Sequence, residues 1–209
     1  MINIETLVED LRPMKPVRSR TAIAVAIAAT AALGLTVSFV FGLRADIAAM
    51  NPAPIVLLRG ITLLFLGFAT LQAMALSARP GVGLLNNGWK WLLGVAAFFP
   101  IFTALSWLQG NPAVYGAAGA SSGFWCLGIS ISAAVMIGVA LTIWLRRGAP
   151  VNADRSSWLV GLASGAFGTF CYNLYCPSQS IEYAGIWYSL AVGISACLAR
   201  LTVPKFIRW

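Results

Sequence analysis

A chain of 209 residues in which 59% are hydrophobic and only 10% are charged is too apolar to fold as a soluble domain. Its 14 Lys and Arg residues outnumber 6 Asp and Glu residues, which gives a net charge of +8. In a soluble protein that charge would suggest a nucleic-acid partner, but in a membrane chain it orients helices and contacts anionic lipid. We therefore predict an integral membrane protein whose surroundings are the lipid bilayer, with no nucleic-acid partner.

The first 20 residues form a polar tail, and residues 3–11 within it have the pattern of a short amphipathic helix. The apolar stripe at i, i+3, i+4 and i+7 spacing comprises Ile4, Leu7, Val8 and Leu11. Glu5, Glu9 and Asp10 lie outside that stripe. Because so short a helix is marginal in water, we expect it to order against a basic partner protein. Docking on the protein's own bundle or on lipid is the alternative.

Six apolar stretches follow the tail, and each is long enough to cross a hydrocarbon core of about 30 Å, which takes roughly 20 helical residues. They are residues 21–42, 54–77, 89–108, 122–145, 157–175 and 184–203. The connecting segments are too short to fold as separate domains. The sequence therefore predicts an all-α, integral membrane six-helix bundle over residues 21–209. With the cytoplasmic tail of residues 1–20, it forms a single domain.

Most Lys and Arg residues fall in the tail, in every second gap between spans, and at the end of the chain. They are Arg12, Lys15, Arg18, Arg20, Arg79, Lys90, Arg146, Arg147, Arg155, Arg200, Lys205 and Arg208. Cytoplasmic loops collect Lys and Arg. We therefore predict that both termini lie in the cytoplasm. Within the fifth span, Gly161 and Gly165 predict that a neighbouring helix packs closely.

The predicted spans lack the residues that catalysis and transport inside a membrane usually require. No Asp or Glu falls within a predicted span, and the chain has no histidine. Pumps and ion-coupled carriers usually place such groups along their pathways, and membrane proteases and metalloenzymes need them at their sites. The sequence therefore argues against an enzyme and predicts no cofactor. Arg59, about one turn into the second span, is expected to snorkel outward, with pairing to Asp46 or Glu182 as the alternative.

Two of the four cysteines are candidates for a redox-active or metal-binding thiol pair. Cys126 begins the fourth span and Cys176 directly follows the fifth, so both fall at the predicted outer face of the membrane. A bacterial periplasm, unlike the cytosol, favours disulfides. The pair is joined only if the two helices approach there, and it could instead bind a soft metal ion as thiolates. Spacing alone does not choose between these roles. Cys171 and Cys197 are interpreted as small apolar fillers.

Short motifs along the chain resemble those of the NrsF family of membrane anti-sigma factors, negative regulators of extracytoplasmic-function sigma factors in proteobacteria. They are Asp10-Leu11-Arg12-Pro13, Cys126, Leu145-Arg146-Arg147-Gly148-Ala149-Pro150, Cys176-Pro177, Trp187-Tyr188 and Arg208-Trp209. The resemblance implies that the protein holds a sigma factor inactive at the inner membrane. It also implies that Cys126 and Cys176 respond to oxidants or to heavy metals such as chromate and cadmium. The family often has a histidine before the second cysteine, where this chain has Tyr175, so no histidine role carries over.

These observations lead to the hypothesis of a redox- or metal-responsive anti-sigma factor. The tail would bind the sigma factor through Ile4, Leu7, Val8, Asp10 and Leu11, with the 146–155 loop as an additional contact. Two other classes stay open. A small membrane carrier or permease subunit would need a polar cavity at mid-bilayer. A membrane thiol oxidoreductase would need Cys126 and Cys176 to turn over with a substrate.

Overall fold

Every regular element in the described part of the chain is helical. The computed structural model of the protein describes residues 19–78, 89–118, 121–148, 150 and 152–207. The elements are α1 (Ser19–Phe41), α2 (Ala45–Ala48), α3 (Pro54–Ser77), α4 (Trp89–Leu108), α5 (Pro112–Ala118), α6 (Ser122–Leu145), α7 (Ala153–Asn173), α8 (Ile181–Tyr183), a π-helical turn (Ala184–Tyr188) and α9 (Ser189–Ile207). The predicted amphipathic helix of the tail lies outside the described residues. The prediction of an all-α protein is confirmed for the part that the structure covers.

Four helical segments of the described chain are long and apolar enough to cross a membrane. They are α1, α3, α6 and the continuous run Ile181–Ile207. In α4 the apolar segment Gly94–Leu108 is shorter, and α7 is not among the four. Long helices do occupy all six predicted stretches. That all six cross a membrane stays a prediction.

Helix α7 is the centre of the bundle, which explains its low hydropathy. It packs against α6, α9 and α3, and 15 of its 21 residues are buried. A helix surrounded by other helices presents little surface to lipid, so small residues that permit close packing replace the usual large apolar ones. Small and hydroxyl side chains therefore dominate the middle of α7, as in the segment Gly161-Leu162-Ala163-Ser164-Gly165.

Glycines make this central packing possible. A Cβ atom at Gly161 would lie 2.5 Å from the Cα atom of Ala196 in α9, and one at Gly168 would lie 2.6 Å from the backbone nitrogen of Ala134 in α6. Both distances are shorter than van der Waals contact. The backbones of α9 and α6 therefore approach α7 on two sides, and the predicted close packing at Gly161 and Gly165 is confirmed.

Successive connections alternate between the two ends of the bundle. At one end, the backbone N–H of Arg44 donates to the carbonyl of Leu174 at 3.2 Å, and the Trp187 indole donates to the carbonyl of Ala117 at 2.8 Å. These contacts join the first, third and fifth connections. At the other end, the Trp144 indole donates to the hydroxyl of Thr21 at 2.8 Å.

A second pair of contacts ties that other end together. The hydroxyls of Ser77 and Ser156 lie 3.1 Å apart, and Arg200 pairs with Asp154 at 3.0 Å. The start of α1, the C-terminal end of α3, the start of α7 and the C-terminal part of α9 therefore lie at this same end of the bundle. The assignment of that end to the cytoplasm rests on the Lys and Arg distribution and stays a prediction.

Candidate thiol site

Cys126 and Cys176 lie in one buried cluster near the end of the bundle that carries the first, third and fifth connections. Cys126 is in the first turns of α6, and the Cys176 backbone N–H donates to the carbonyl of Tyr172 at 2.9 Å, which closes the last turn after α7. Both side chains are 0% exposed, and both cysteines are free thiols. The fold thus brings together the two cysteines that the sequence singled out, but it shields them from solvent.

Aromatic side chains surround the pair. Tyr172, Tyr183, Tyr188 and Trp187 belong to the same cluster as the two cysteines. The hydroxyls of Tyr172 and Tyr183 lie 3.3 Å apart, and the Tyr188 hydroxyl donates to the side-chain oxygen of Asn173 at 3.2 Å. Hydroxyl groups and ring edges therefore supply the polar surroundings of the thiols, where a catalytic thiol would usually have a histidine or carboxylate base.

A π-helical turn shapes this environment. Residues Ala184–Tyr188 form five π-helical residues between α8 and α9, and such turns recur at functional sites. The Trp187 ring passes so close to the backbone at Gly123 that a Cβ atom there would lie 2.0 Å from it. Only glycine fits at position 123. The start of α6, which carries Cys126, is therefore packed directly against the π-helical turn.

Two arginines hold the loop that carries Cys176. Arg44 donates through Nη1 to the carbonyl of Cys176 and, at 3.1 Å, to the carbonyl of Ser178. Arg59 donates through Nη1 to the same Ser178 carbonyl at 3.1 Å. We call these two side chains and the segment 176–178 the arginine clamp. Because charge-assisted bonds are stronger than neutral ones, the clamp fixes the backbone next to the thiol.

The expectation that Arg59 snorkels outward is wrong. Its side chain is 0% exposed, and its guanidinium lies 5.8 Å from the centre of the Tyr188 ring. Its Nε and Nη2 atoms have no hydrogen-bond partner, and no carboxylate of the described residues forms an ion pair with it. The loop after α7 folds over this end of α3 and covers the guanidinium. Burying a charge with so few partners is costly.

Asp46 forms an ion pair with Arg44. Neither Asp46 nor Glu182 forms an ion pair with Arg59. The Oδ1 atom of Asp46 lies 2.7 Å from Nε of Arg44, and its carboxylate also accepts the backbone N–H groups of Ile47 and Ala53. The hydrogen bond from Arg44 lowers the pKa of Asp46 to about 2. The Asp46 carboxylate therefore stays ionised and holds Arg44 in position to reach the Cys176 loop.

The donor set around the thiols limits what metal chemistry the site could perform. Within the residues that the structure covers, no three His, Cys, Asp or Glu side chains are grouped in a way that could hold a metal ion. The two thiols fit a soft metal ion better than a hard one, because thiolates select soft cations. A metal captured here would take both sulfurs and complete its coordination from elsewhere.

The other cysteines are separate from the pair. The Cys171 thiol donates to the carbonyl of Thr30 in α1 at 3.5 Å and packs with Val37 and Ala133. This fits its interpretation as a buried filler. Cys197 is exposed on α9, so it faces away from the core instead of filling it. Of the tail residues proposed to bind a sigma factor, all five lie outside the described part of the chain.

Comparison with known proteins identifies the family. The sequence profile of NrsF, described as a negative regulator of sigma F, matches residues 7–209. The chain belongs to the NrsF family. It is 28% identical over 175 residues to the anti-sigma-F factor NrsF of Caulobacter vibrioides (strain NA1000 / CB15N). That alignment covers 79% of this chain and 78% of the Caulobacter protein.

A second relative matches a shorter region. The probable anti-sigma-F factor NrsF of Azospira oryzae (strain ATCC BAA-33 / DSM 13638 / PS) is 31% identical over 61 residues, 29% of each chain. No solved structure matches. Membership in a family of negative regulators is consistent with the prediction that the protein is not an enzyme.

Sequence reasoning found the cysteine pair but missed the residues that surround it. Arg44 lies in none of the sequence motifs. Tyr172, Asn173 and Tyr183 carried no motif. One signal was available: Tyr183 and Tyr188 are five residues apart, a spacing that a π-helical turn, and not an α-helix, brings onto one face.

Proposed function

We propose that this protein is a membrane-bound anti-sigma factor of the bacterial inner membrane that sequesters an extracytoplasmic-function sigma factor. The observation that carries the proposal is the family match over residues 7–209, supported by a relative named as an anti-sigma-F factor that aligns with 79% of the chain. The tail, through Ile4, Leu7, Val8, Asp10 and Leu11, provides the sigma-binding surface. An acidic, amphipathic segment suits a groove on a basic partner.

In this proposal the chain crosses the membrane six times, with both termini in the cytoplasm. The alternation of connections between the two ends of the bundle supports that count, as does the position of α7. A helix shielded on most sides by its neighbours can cross a membrane without a strongly apolar surface. The thiol site then lies near the periplasmic face, and the tail lies on the opposite side of the membrane.

The proposed signal is a chemical change at Cys126 and Cys176. An oxidant that accepts two electrons and two protons from the thiols would join them as a disulfide, and a soft metal ion would displace the two protons and bind both sulfurs. Either product moves the sulfur atoms relative to each other. Because Arg44 and Arg59 hold the backbone beside Cys176, that movement strains the clamp.

The signal reaches the tail through the central helix. Cys176 closes the last turn after α7, and α7 packs along α6 and α9 to the other end of the bundle. In this proposal the bundle has two helix packings, one that binds the sigma factor and a second that does not. To lower the binding-competent fraction from about 99% to about 1%, the modification must favour the second packing by about 5.5 kcal/mol. A disulfide typically supplies about 2–4 kcal/mol of that amount, and metal ligation is the alternative source.

The test is a sigma-dependent reporter in cells that carry cysteine variants. Replacing Cys126 and Cys176 with Ser should abolish induction by diamide or cadmium and leave basal repression in place. Cys171→Ser is the matched control, because Cys171 is equally buried but lies in a separate cluster, and it should respond normally. Full induction of the double variant would contradict the sensing role. Constitutive reporter output from the wild-type protein would contradict the anti-sigma role.

A further inference from the structure

A groove of about 290 Å³ runs along the outside of the bundle, away from the thiol site. Helices α6 and α9 form its walls, and α7 forms its floor through Val160 and Ser164. It extends along α6 from Ala134 to Arg146, which at a rise of about 1.5 Å per residue is about 18 Å. That length is close to one leaflet of a hydrocarbon core of about 30 Å.

The surface of the groove is apolar, although some of the residues that line it carry hydroxyl groups. Its lining includes hydroxyl residues, but each donates its hydrogen to a carbonyl of its own helix. They are Thr142, to Gly138 at 2.7 Å; Ser164, to Gly161 at 3.3 Å; Ser195, to Ala191 at 2.7 Å; and Thr202, to Leu198 at 2.8 Å. These hydroxyls therefore offer no hydrogen to a ligand. The groove suits a hydrocarbon chain and disfavours a polar guest.

One end of the groove carries a cation. Arg146 follows the last residue of α6, is exposed, and is the one charged residue among the described residues that line the groove. Arg200 in α9 pairs with Asp154 at 3.0 Å, whereas Arg146 forms no ion pair within the residues that the structure describes. An apolar channel about one leaflet long with a guanidinium at its end has the shape and charge of a phospholipid that carries an anionic headgroup.

We propose that this groove binds an anionic phospholipid, with one acyl chain between α6 and α9 and the phosphate on Arg146. The inference rests on the proposed membrane location of the protein. It adds a function for Arg146 that is distinct from sigma binding. The bound acyl chain contacts α6 and α9, and both of these helices also pack against α7. Lipid binding therefore stabilises the packing around α7, the helix that connects the two ends of the bundle.

The test uses the purified full-length protein, delipidated in detergent, and native mass spectrometry with phosphatidylglycerol or phosphatidylcholine added. The wild-type protein should retain phosphatidylglycerol in preference to phosphatidylcholine. Arg146→Gln should reduce phosphatidylglycerol binding about fivefold, the effect of about one basic contact to an anionic lipid. Arg147→Gln is the matched control, because Arg147 is exposed and adjacent but does not line the groove.

A second pair of variants tests the acyl-chain channel. Val139 lines the groove and is 54% exposed, so Val139→Trp fills the channel without disturbing the core. Both lipids should then bind less. Met136 is on the same helix and is exposed but lies outside the groove, so Met136→Trp should bind lipid as the wild type does. Equal binding by each variant and its control would overturn the proposal.

The same samples separate this inference from the proposed function. Sigma factor that co-purifies with the protein is measured alongside the lipid adduct. Selective lipid binding without sigma retention would contradict the anti-sigma role and support the groove. Sigma retention with no preference for phosphatidylglycerol would overturn the groove and leave the anti-sigma role standing.

Discussion

Arg44 and Arg59 donate to the same carbonyl oxygen, that of Ser178, each at 3.1 Å. Arg44 precedes α2, in the connection after α1, and Arg59 belongs to α3. Two neighbouring parts of the chain therefore meet a third part, more than a hundred positions away, at one backbone atom two residues from Cys176. The environment of the Cys176 thiol depends on both cations, although they differ in their partners. Arg44 pairs with a carboxylate, whereas the partners of Arg59 among the described residues are a ring and a carbonyl.

Loss of Arg44 should open the loop around Cys176. In Arg44→Ala, the bonds to the carbonyls of Cys176 and Ser178 are absent, and bonds from charged donors are typically worth about 1.5–3 kcal/mol. Local opening should become at least about tenfold more frequent. The alkylation rate of Cys176 by N-ethylmaleimide, in a background without the other three cysteines, should rise by that factor. Arg147→Ala, at the opposite end of the bundle, should leave the rate unchanged.

Arg59→Met should be better tolerated than Arg44→Ala. Met removes a buried charge that has two unpaired nitrogen atoms and keeps an apolar side chain of comparable length. Replacement of a buried charge by an apolar residue is often neutral or stabilising. The thermal unfolding midpoint in detergent should therefore fall less for Arg59→Met than for Arg44→Ala. A larger fall for Arg59→Met would contradict this expectation and mean that the bond to Ser178 and the contact with the Tyr188 ring outweigh the cost of burying the charge.

Acid should weaken the anchor of the first connection. The pKa of Asp46 is lowered from its ordinary value of 3.8 to about 2 by the hydrogen bond from Arg44. A depressed pKa contributes stability that is fully present above pH 3.8 and is lost as the pH falls towards 2. The unfolding midpoint of the wild-type protein should drop across that window. Asp46→Asn should start lower and show a smaller drop there; identical profiles would contradict the role given to Asp46.

Glycine at position 168 should be essential for the packing of α7. A Cβ atom there would lie 2.5 Å from the carbonyl oxygen of Ser130 and 2.6 Å from the nitrogen of Ala134. These are backbone atoms that cannot move aside without shifting α6. Overpacking of this kind costs about 1–3 kcal/mol or more, so Gly168→Ala should lower the unfolding midpoint. Gly128→Ala in α6, where a Cβ atom meets nothing within 4 Å, is the control and should be neutral.

Local patterns in the sequence predicted the helices well. Apolar stretches located each long helix to within a few residues, as in the predicted span 157–175 and the observed helix Ala153–Asn173. Gly161 and Gly165 predicted close packing. The sequence does not decide whether Cys126 and Cys176 meet, because their approach depends on how α6 and α7 pack. The structure brings them into one cluster.

Arg59 shows what local patterns could not reveal. Its position near a helix end is typical of a snorkelling side chain, and nothing in the neighbouring residues contradicts that interpretation. Its burial is caused by residues 176–178, more than a hundred positions away, and by the Tyr188 ring. The interpretation of Cys197 as a buried filler is wrong for a related reason. A position within an apolar helix does not say which face the helix turns towards its neighbours, and Cys197 faces outward.

Co-purification of the sigma factor before and after oxidation tests the central claim most directly. The solubilised wild-type protein should retain its sigma factor when reduced. After diamide treatment it should release most of that sigma factor, and peptide mapping should find a Cys126–Cys176 disulfide. The double Ser variant should retain sigma under both conditions. If the wild-type protein released no sigma factor although that disulfide had formed, the proposed link between the thiol site and sigma binding would be contradicted.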